Sequence, residues 1–154
     1  MNHEAYFLLA AEEAQRALCT RSRCGAVVVR GGVVIGRGYN APPQDDVQNA
    51  MCHLNQCTSP KPKSDRTCCV HAEWRALIDA LQTTGDLSGA DLYFARVDDA
   101  GKIKFSGKPY CTVCSRLALD LGLSHFGLWH EDGPMLYDTQ TYNNLSYAFH
   151  GTNN

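Results

Sequence analysis

Apolar and polar positions first separate along residues 4–19. Ala5, Leu8 and Leu9 fall on one side of a helical wheel and Glu12 and Arg16 on the other. Gly and Pro are absent, so Glu4–Cys19 is predicted to be an amphipathic helix. Two runs rich in β-branched residues follow, Gly25–Arg30 and Val33–Gly36. Between them Gly31-Gly32 supplies the positive φ of a two-residue hairpin turn. From Asn40 to Cys69 the pattern lapses, broken by Pro42-Pro43, Asp45-Asp46, Pro60 and Pro62. A loop of that length in a compact domain is usually functional or stapled. Helical spacing returns over His71–Thr83, where Leu77, Ile78 and Leu81 are apolar and Gly85 stops the run. Asp91–Val97 reads as a strand, Asp98–Gly101 as a turn, Lys102–Phe105 as a short strand and Thr112–Leu121 as a helix ending at Gly122. His125–His130 is another strand. Tyr137, Tyr142, Leu145 and Phe149 repeat at loosely helical spacing and predict a final helix over about 137–149. The main elements run α-β-β-α-β-α-β-α, without an internal repeat, and residues 1–154 read as one domain.

Composition narrows the function classes. The chain has 154 residues, 44% hydrophobic and 19% charged, as expected of a globular domain with a real core. Its 14 Lys and Arg stand against 16 Asp and Glu, a formal net charge of -2. A polynucleotide track calls for a basic surplus, so a nucleic-acid partner is disfavoured. Arg16, Arg21, Arg23, Arg30 and Arg37 gather in the first quarter and read as solvated surface charges. No apolar run approaches the roughly 20 residues of a membrane helix, so no membrane partner is expected. Met1-Asn2-His3-Glu4 lacks the basic start of a signal peptide, and Glu12-Glu13 cuts off Phe7–Ala11. The eight cysteines then read as metal or redox chemistry in a reducing cytoplasm rather than as a disulfide scaffold.

Two motifs carry the chemistry. His71-Ala72-Glu73 and Cys111-Thr112-Val113-Cys114 both fall at predicted helix starts, where unpaired N–H groups and the helix dipole stabilise anions. A C-x-x-C pair alone also fits a redox couple or half of a structural zinc site. With the histidine it gives three zinc donors, and a catalytic zinc keeps its fourth position for water. Zinc brings the pKa of such a water to near 7. The Glu73 carboxylate, not needed as a ligand, is then available to move protons; the plainer reading is a surface helix glutamate. This set points to hydrolysis, and in particular to removal of an amino group.

With these motifs and the strand–helix order between them, the sequence resembles the zinc-dependent cytidine deaminase superfamily, whose pattern is H-x-E…P-C-x-x-C. Gly25-Ala26-Val27-Val28-Val29, Gly38-Tyr39-Asn40-Ala41-Pro42-Pro43 and the Cys-rich insertion at about 40–69 look like the deoxycytidylate deaminase branch. The resemblance spans about residues 5–130. It implies an α/β fold, a three-layer α/β/α sandwich around a five-stranded mixed sheet. It also implies Zn(2+) held by His71, Cys111 and Cys114, with Glu73 as the proton shuttle. Asn40 would hydrogen-bond the sugar or base, its alternative being a plain turn residue. The Ala72 N–H would meet a base carbonyl, its alternative being a mere helix former. Three positions depart from the branch: Tyr110 stands between Pro109 and Cys111, Arg75 replaces an Asn, and Ala41 replaces a Gly. Arg75 reads as a partner for a substrate phosphate or carboxylate or, more simply, as a surface helix residue. Trp74 reads as core or as subunit interface in a homo-oligomer. Cys52, His53, Cys57 and Cys68, with Cys69 beside them, could hold a second, structural zinc, or be buried thiols.

The function implied is hydrolytic deamination of a free nucleobase, nucleoside or nucleotide. A cytosine-type pyrimidine leads, with a guanine-type base or a tRNA adenosine as rivals. A reading from another class is a non-catalytic, zinc-stabilised binding module. There a fourth protein ligand such as Cys68 or Cys69 would close the metal site.

Overall fold

The computed structural model describes residues 2–51 and 67–151. The elements run α1 (His3–Ala14), β1 (Arg23–Arg30), β2 (Val33–Tyr39), α2 (Ala72–Thr84), β3 (Asp91–Val97), β4 (Ile103–Lys104), α3 (Thr112–Asp120), β5 (His125–His130), β6 (Gly133–Asp138) and α4 (Thr139–Gly151). The sheet order is β2-β1-β3-β5-β6, with β4 paired to the end of β3. β3 and β5 are parallel, joined by a crossover through α3, and every other pair is antiparallel. The expected mixed sheet is present, with five main strands and the short β4 as a sixth.

Strand periodicity explains the layering. On β1, Ala26 and Val28 point into one core, with Leu92 and Phe126 of the neighbouring strands and residues of α2, α3 and α4. Val27 and Val29 point into the other, against Phe7, Ala10 and Ala14 of α1. A strand buried on both faces reads as a continuous apolar run, which is how β1 reads. Phe126 stacks on Tyr142 of α4 with ring centroids 3.9 Å apart, and Tyr142 meets Tyr137 edge-on.

β1 and β2 run longer than the pattern predicts, β1 starting at Arg23 and β2 ending at Tyr39, and two boundaries differ more. α1 ends at Ala14 rather than Cys19, because the Leu18 N–H is taken by the Asn40 carbonyl at 3.0 Å and the chain turns toward the end of β2. Residues 133–138 form an unpredicted edge strand, so Tyr137 belongs to β6 and the final helix starts at Thr139. Pro134 is what hid this strand. It lacks an N–H, but β6 pairs only with β5, and an edge strand tolerates proline.

Glycine sets how closely α2 approaches the sheet. A Cβ on Gly38 would lie 2.4 Å from both the Ala72 carbonyl oxygen and the Ala76 nitrogen. Those are backbone atoms of the first turns of α2, so they cannot rotate aside. Gly38→Ala is expected to push the start of α2 off β2 and to cost about 1–3 kcal/mol, as overpacking does. Urea unfolding should show a lower midpoint at unchanged slope; an unchanged midpoint would mean that the contact is not tight.

Candidate metal centre

The chain enters α2 under tight control. Val70 and Ala41 form an isolated antiparallel bridge, with Val70 N–H donating to the Ala41 carbonyl at 2.8 Å and Ala41 N–H to the Val70 carbonyl at 3.3 Å. This pins the residue before His71 to the extension of β2. His71 is the N-cap of α2, in an extended conformation with φ -67° and ψ 147°. Cys111 holds the same position on α3, where its sulfur accepts from the Cys114 N–H at 3.3 Å and so caps the helix.

The two helix starts bring three donor atoms together. His71 Nδ1 lies 3.2 Å from Cys114 Sγ and 3.5 Å from Cys111 Sγ, and the two sulfurs are 3.2 Å apart. Among the described residues no other His, Cys, Asp or Glu joins this group. Two sulfurs and one imidazole nitrogen are the donor types zinc takes, and three protein donors leave a fourth position for solvent or substrate. Cys68 and Cys69, the fourth ligands a closed site would need, are not in the group.

The grouped side chains act strongly on one another's charge. Contact with Cys114 holds the Cys111 thiol down at about 4 against the effect of burial, and His71 adds to the lowering. Burial, with the contact to Cys111, pushes Cys114 well above its ordinary value. Burial opposes the charge on His71, but the hydrogen bond with Cys111 and the field of Glu73 outweigh it and raise His71 to about 9. Glu73 sits in the first turn of α2 and is only 7% exposed. Burial lifts its carboxyl to about 7, with His71 acting in the other direction. A carboxyl with a pKa near neutrality both accepts and returns a proton readily.

The other residues singled out in the sequence fall in different places. Ala72 is wholly buried as the first residue of α2, in the turn whose N–H groups have no helical partner. Asn40 is 8% exposed, and its side chain staples backbone: Oδ1 accepts from Cys24 N–H at 2.8 Å and Nδ2 donates to the Ser22 carbonyl at 2.7 Å. Arg75 turns to the loop after β2. It donates to Asp45 at 2.8 Å and to the Pro42 carbonyl at 3.0 Å, while Asp45 also takes the Tyr39 hydroxyl. The departure at position 75 is therefore a loop clamp. Tyr110 packs edge-on against Phe149 of α4, with centroids 5.0 Å apart. Trp74 is half-buried beside His71, with its Nε1 unpartnered among the described residues. Cys52, His53 and Cys57 lie outside the described residues. Cys68 and Cys69 are half-buried, and Cys69 shares a hydrogen bond with Cys19 that holds the Cys19 thiol down at about 5.

Sequence reasoning missed two neighbours of the site. Tyr142 lies close enough for the charges of Glu73, Cys114 and Cys111 to raise its hydroxyl, after burial as the main cause. Thr67 contacts the far side of the His71 ring at 3.2 Å. Neither belongs to a motif; only the packing of α4 and the reversal before α2 place them there.

Comparison with known proteins agrees with this geometry. Residues 1–126 match the family described as the cytidine and deoxycytidylate deaminase zinc-binding region. Deoxycytidylate deaminase of Mycobacterium phage D29 is 38% identical over 127 residues, covering 78% of this chain and 88% of the phage protein. The deoxycytidylate deaminase of Schizosaccharomyces pombe is 35% identical over 81 residues; the match covers 50% of this chain but only 25% of the yeast protein. A cytidine deaminase from Burkholderia pseudomallei shares the fold at 18% identity and a TM-score of 0.61, over 92% of this chain and 96% of that one. The dCMP deaminase of cyanophage S-TIM5 does so at 24% identity and a TM-score of 0.57, over 80% and 78% of the two chains.

Proposed function

Since this chain belongs to the cytidine and deoxycytidylate deaminase family, we propose that it is a zinc-dependent hydrolase that removes the amino group of a free cytosine-type nucleotide as ammonia. The observation that carries this reading is the convergence of His71, Cys111 and Cys114 as three donors beside the buried carboxyl of Glu73. Zinc held by His71, Cys111 and Cys114 would supply water acidic enough to attack at neutral pH. The chain's own groups do the rest. Glu73 would take one proton from the attacking water and pass it to the ring nitrogen, then take the second from the new hydroxyl and pass it to the departing amine. Water adds to the carbon that bears the amino group, that carbon becomes tetrahedral, and its bond to nitrogen breaks. The buried first turn of α2 offers the Ala72 N–H to a base carbonyl. Beyond its two backbone bonds Asn40 keeps one Nδ2–H and one Oδ1 lone pair, and these would serve as donor and acceptor for the sugar or base.

A small free substrate fits better than a polymer. The chain has no basic surplus to track phosphates, with 14 Lys and Arg against 16 Asp and Glu. The expected result is ammonia release from a cytosine nucleoside or monophosphate, and no base change in single-stranded DNA or tRNA offered in parallel. Efficient editing of either polymer with every monomer inert would overturn the reading. The same panel, with guanine included, separates the pyrimidine from the purine alternative.

Location and assembly complete the proposal. No helix among the described residues is long and apolar enough to cross a membrane. A reducing cytoplasm is the proposed location, since the cysteines of the metal centre read as metal donors rather than as disulfide partners. Half-buried Trp74 and exposed Ile78 on α2 support a homo-oligomer. Light scattering of the purified chain should give a mass above that of one copy.

A further inference from the structure

We infer that Thr67 is a positioning residue for the metal centre, acting through His71. The inference rests on the reading of His71 as a zinc ligand. The two nitrogens of this ring face different ways. Nδ1 is directed at the two sulfurs, 3.2 and 3.5 Å away, and Nε2 lies 3.2 Å from Thr67 Oγ1. A ligating Nδ1 presents its lone pair, so the single proton of the neutral ring sits on Nε2. That N–H needs an acceptor to hold the tautomer and the ring plane, a place commonly filled by a carboxylate or a backbone carbonyl. Here the Thr67 hydroxyl oxygen fills it.

The local chain path makes the contact possible. Thr67 precedes His71 by four residues, and Val70 between them is pinned to Ala41 by the two-bond bridge. The back of the ring borders a groove of about 430 Å³, also lined by Cys69, Val70, Trp74, Val113 and Arg116. Among these described lining side chains Thr67 carries the only oxygen. Without its hydroxyl, Nε2 would have no side-chain oxygen among the described lining residues and would turn to water in the groove. Water restores a hydrogen bond but not its direction, so the loss should fall near the lower end of the usual range for such partners, which is about 10–100-fold in metal affinity.

Two substitutions separate the hydroxyl from mere packing. Thr67→Val keeps the branched shape and removes the acceptor; Thr67→Ser keeps the acceptor and removes the methyl group. Zinc affinity of the full chain is measured by competition with a chromophoric chelator, with no assay of activity. The visible spectrum of the Co(II)-loaded protein reports ligand geometry alongside. The expected result is a zinc affinity about 10-fold weaker for Thr67→Val with an altered Co(II) spectrum, and near wild-type values for Thr67→Ser. Wild-type affinity in Thr67→Val, or equal losses in both variants, overturns the inference. If Thr67→Val fails to fold, Thr67→Ala takes its place in the same comparison. A wild-type chain that binds no zinc would instead remove the zinc reading on which the inference stands.

Discussion

Glu73→Gln is expected to keep its metal and its fold while losing about 10²–10⁴-fold or more of the deaminase rate. The substitution is nearly isosteric, and Glu73 is not one of the three grouped donors, so zinc content should stay at the wild-type level. What disappears is the ability to take a proton and give it back. Burial lifts the Glu73 carboxyl to about 7, near the pH at which a general base works best. An amide at the same place can still donate a hydrogen bond, so substrate binding should change far less than kcat. The measurement is steady-state ammonia release together with metal analysis of the same preparation. A variant that turns over at the wild-type rate would remove Glu73 from the reaction, and one that loses zinc would make it a ligand.

Cys114→Ala should have the larger effect on the metal itself. Cys114 is fully buried, and its sulfur is 3.2 Å from both His71 Nδ1 and Cys111 Sγ, so it lies at the heart of the donor group. Two remaining donors cannot hold zinc tightly, and purified protein should carry much less than one zinc per chain with activity at background. Adding a strong chelator to the wild type should reproduce that loss, and zinc should restore it. Because each donor must give up its proton before it can bind, wild-type affinity should fall as pH falls. Full zinc occupancy and activity in Cys114→Ala would show that the metal is held elsewhere. Loss of folding in that variant would be separated from loss of metal by circular dichroism of the chelated wild type.

How much of this could be read beforehand depended on how local each signal is. The β-branched run of β1, the Asp91–Val97 strand and the His125–His130 strand are legible because a buried strand needs several adjacent apolar residues, and adjacency is visible in a sequence. Edge strand β6 was not legible. Its Gly-Pro start resembles a loop, and only pairing with β5 makes it a strand. The end of α1 was misplaced for the same reason, since the bond from Leu18 to Asn40 joins residues that the pattern treats separately.

The site divides along the same line. By itself the sequence determined the chemistry available: an imidazole and two thiols of the right types, each motif at a helix start, and a carboxylate two residues from the imidazole. Helix starts carry unpaired N–H groups whatever surrounds them, so the preference for anionic sulfur there is a local property. Only the tertiary structure decided that these groups meet. The glycines of β2 let α2 lie against the sheet, and the bridge from Ala41 to Val70 fixes where His71 enters the helix. The same packing sent Arg75 to Asp45, committed Asn40 to backbone and set Thr67 behind the His71 ring. Those outcomes depend on distances between segments far apart in the chain, and hydrophobic periodicity encodes which face of an element is buried but not what it is buried against.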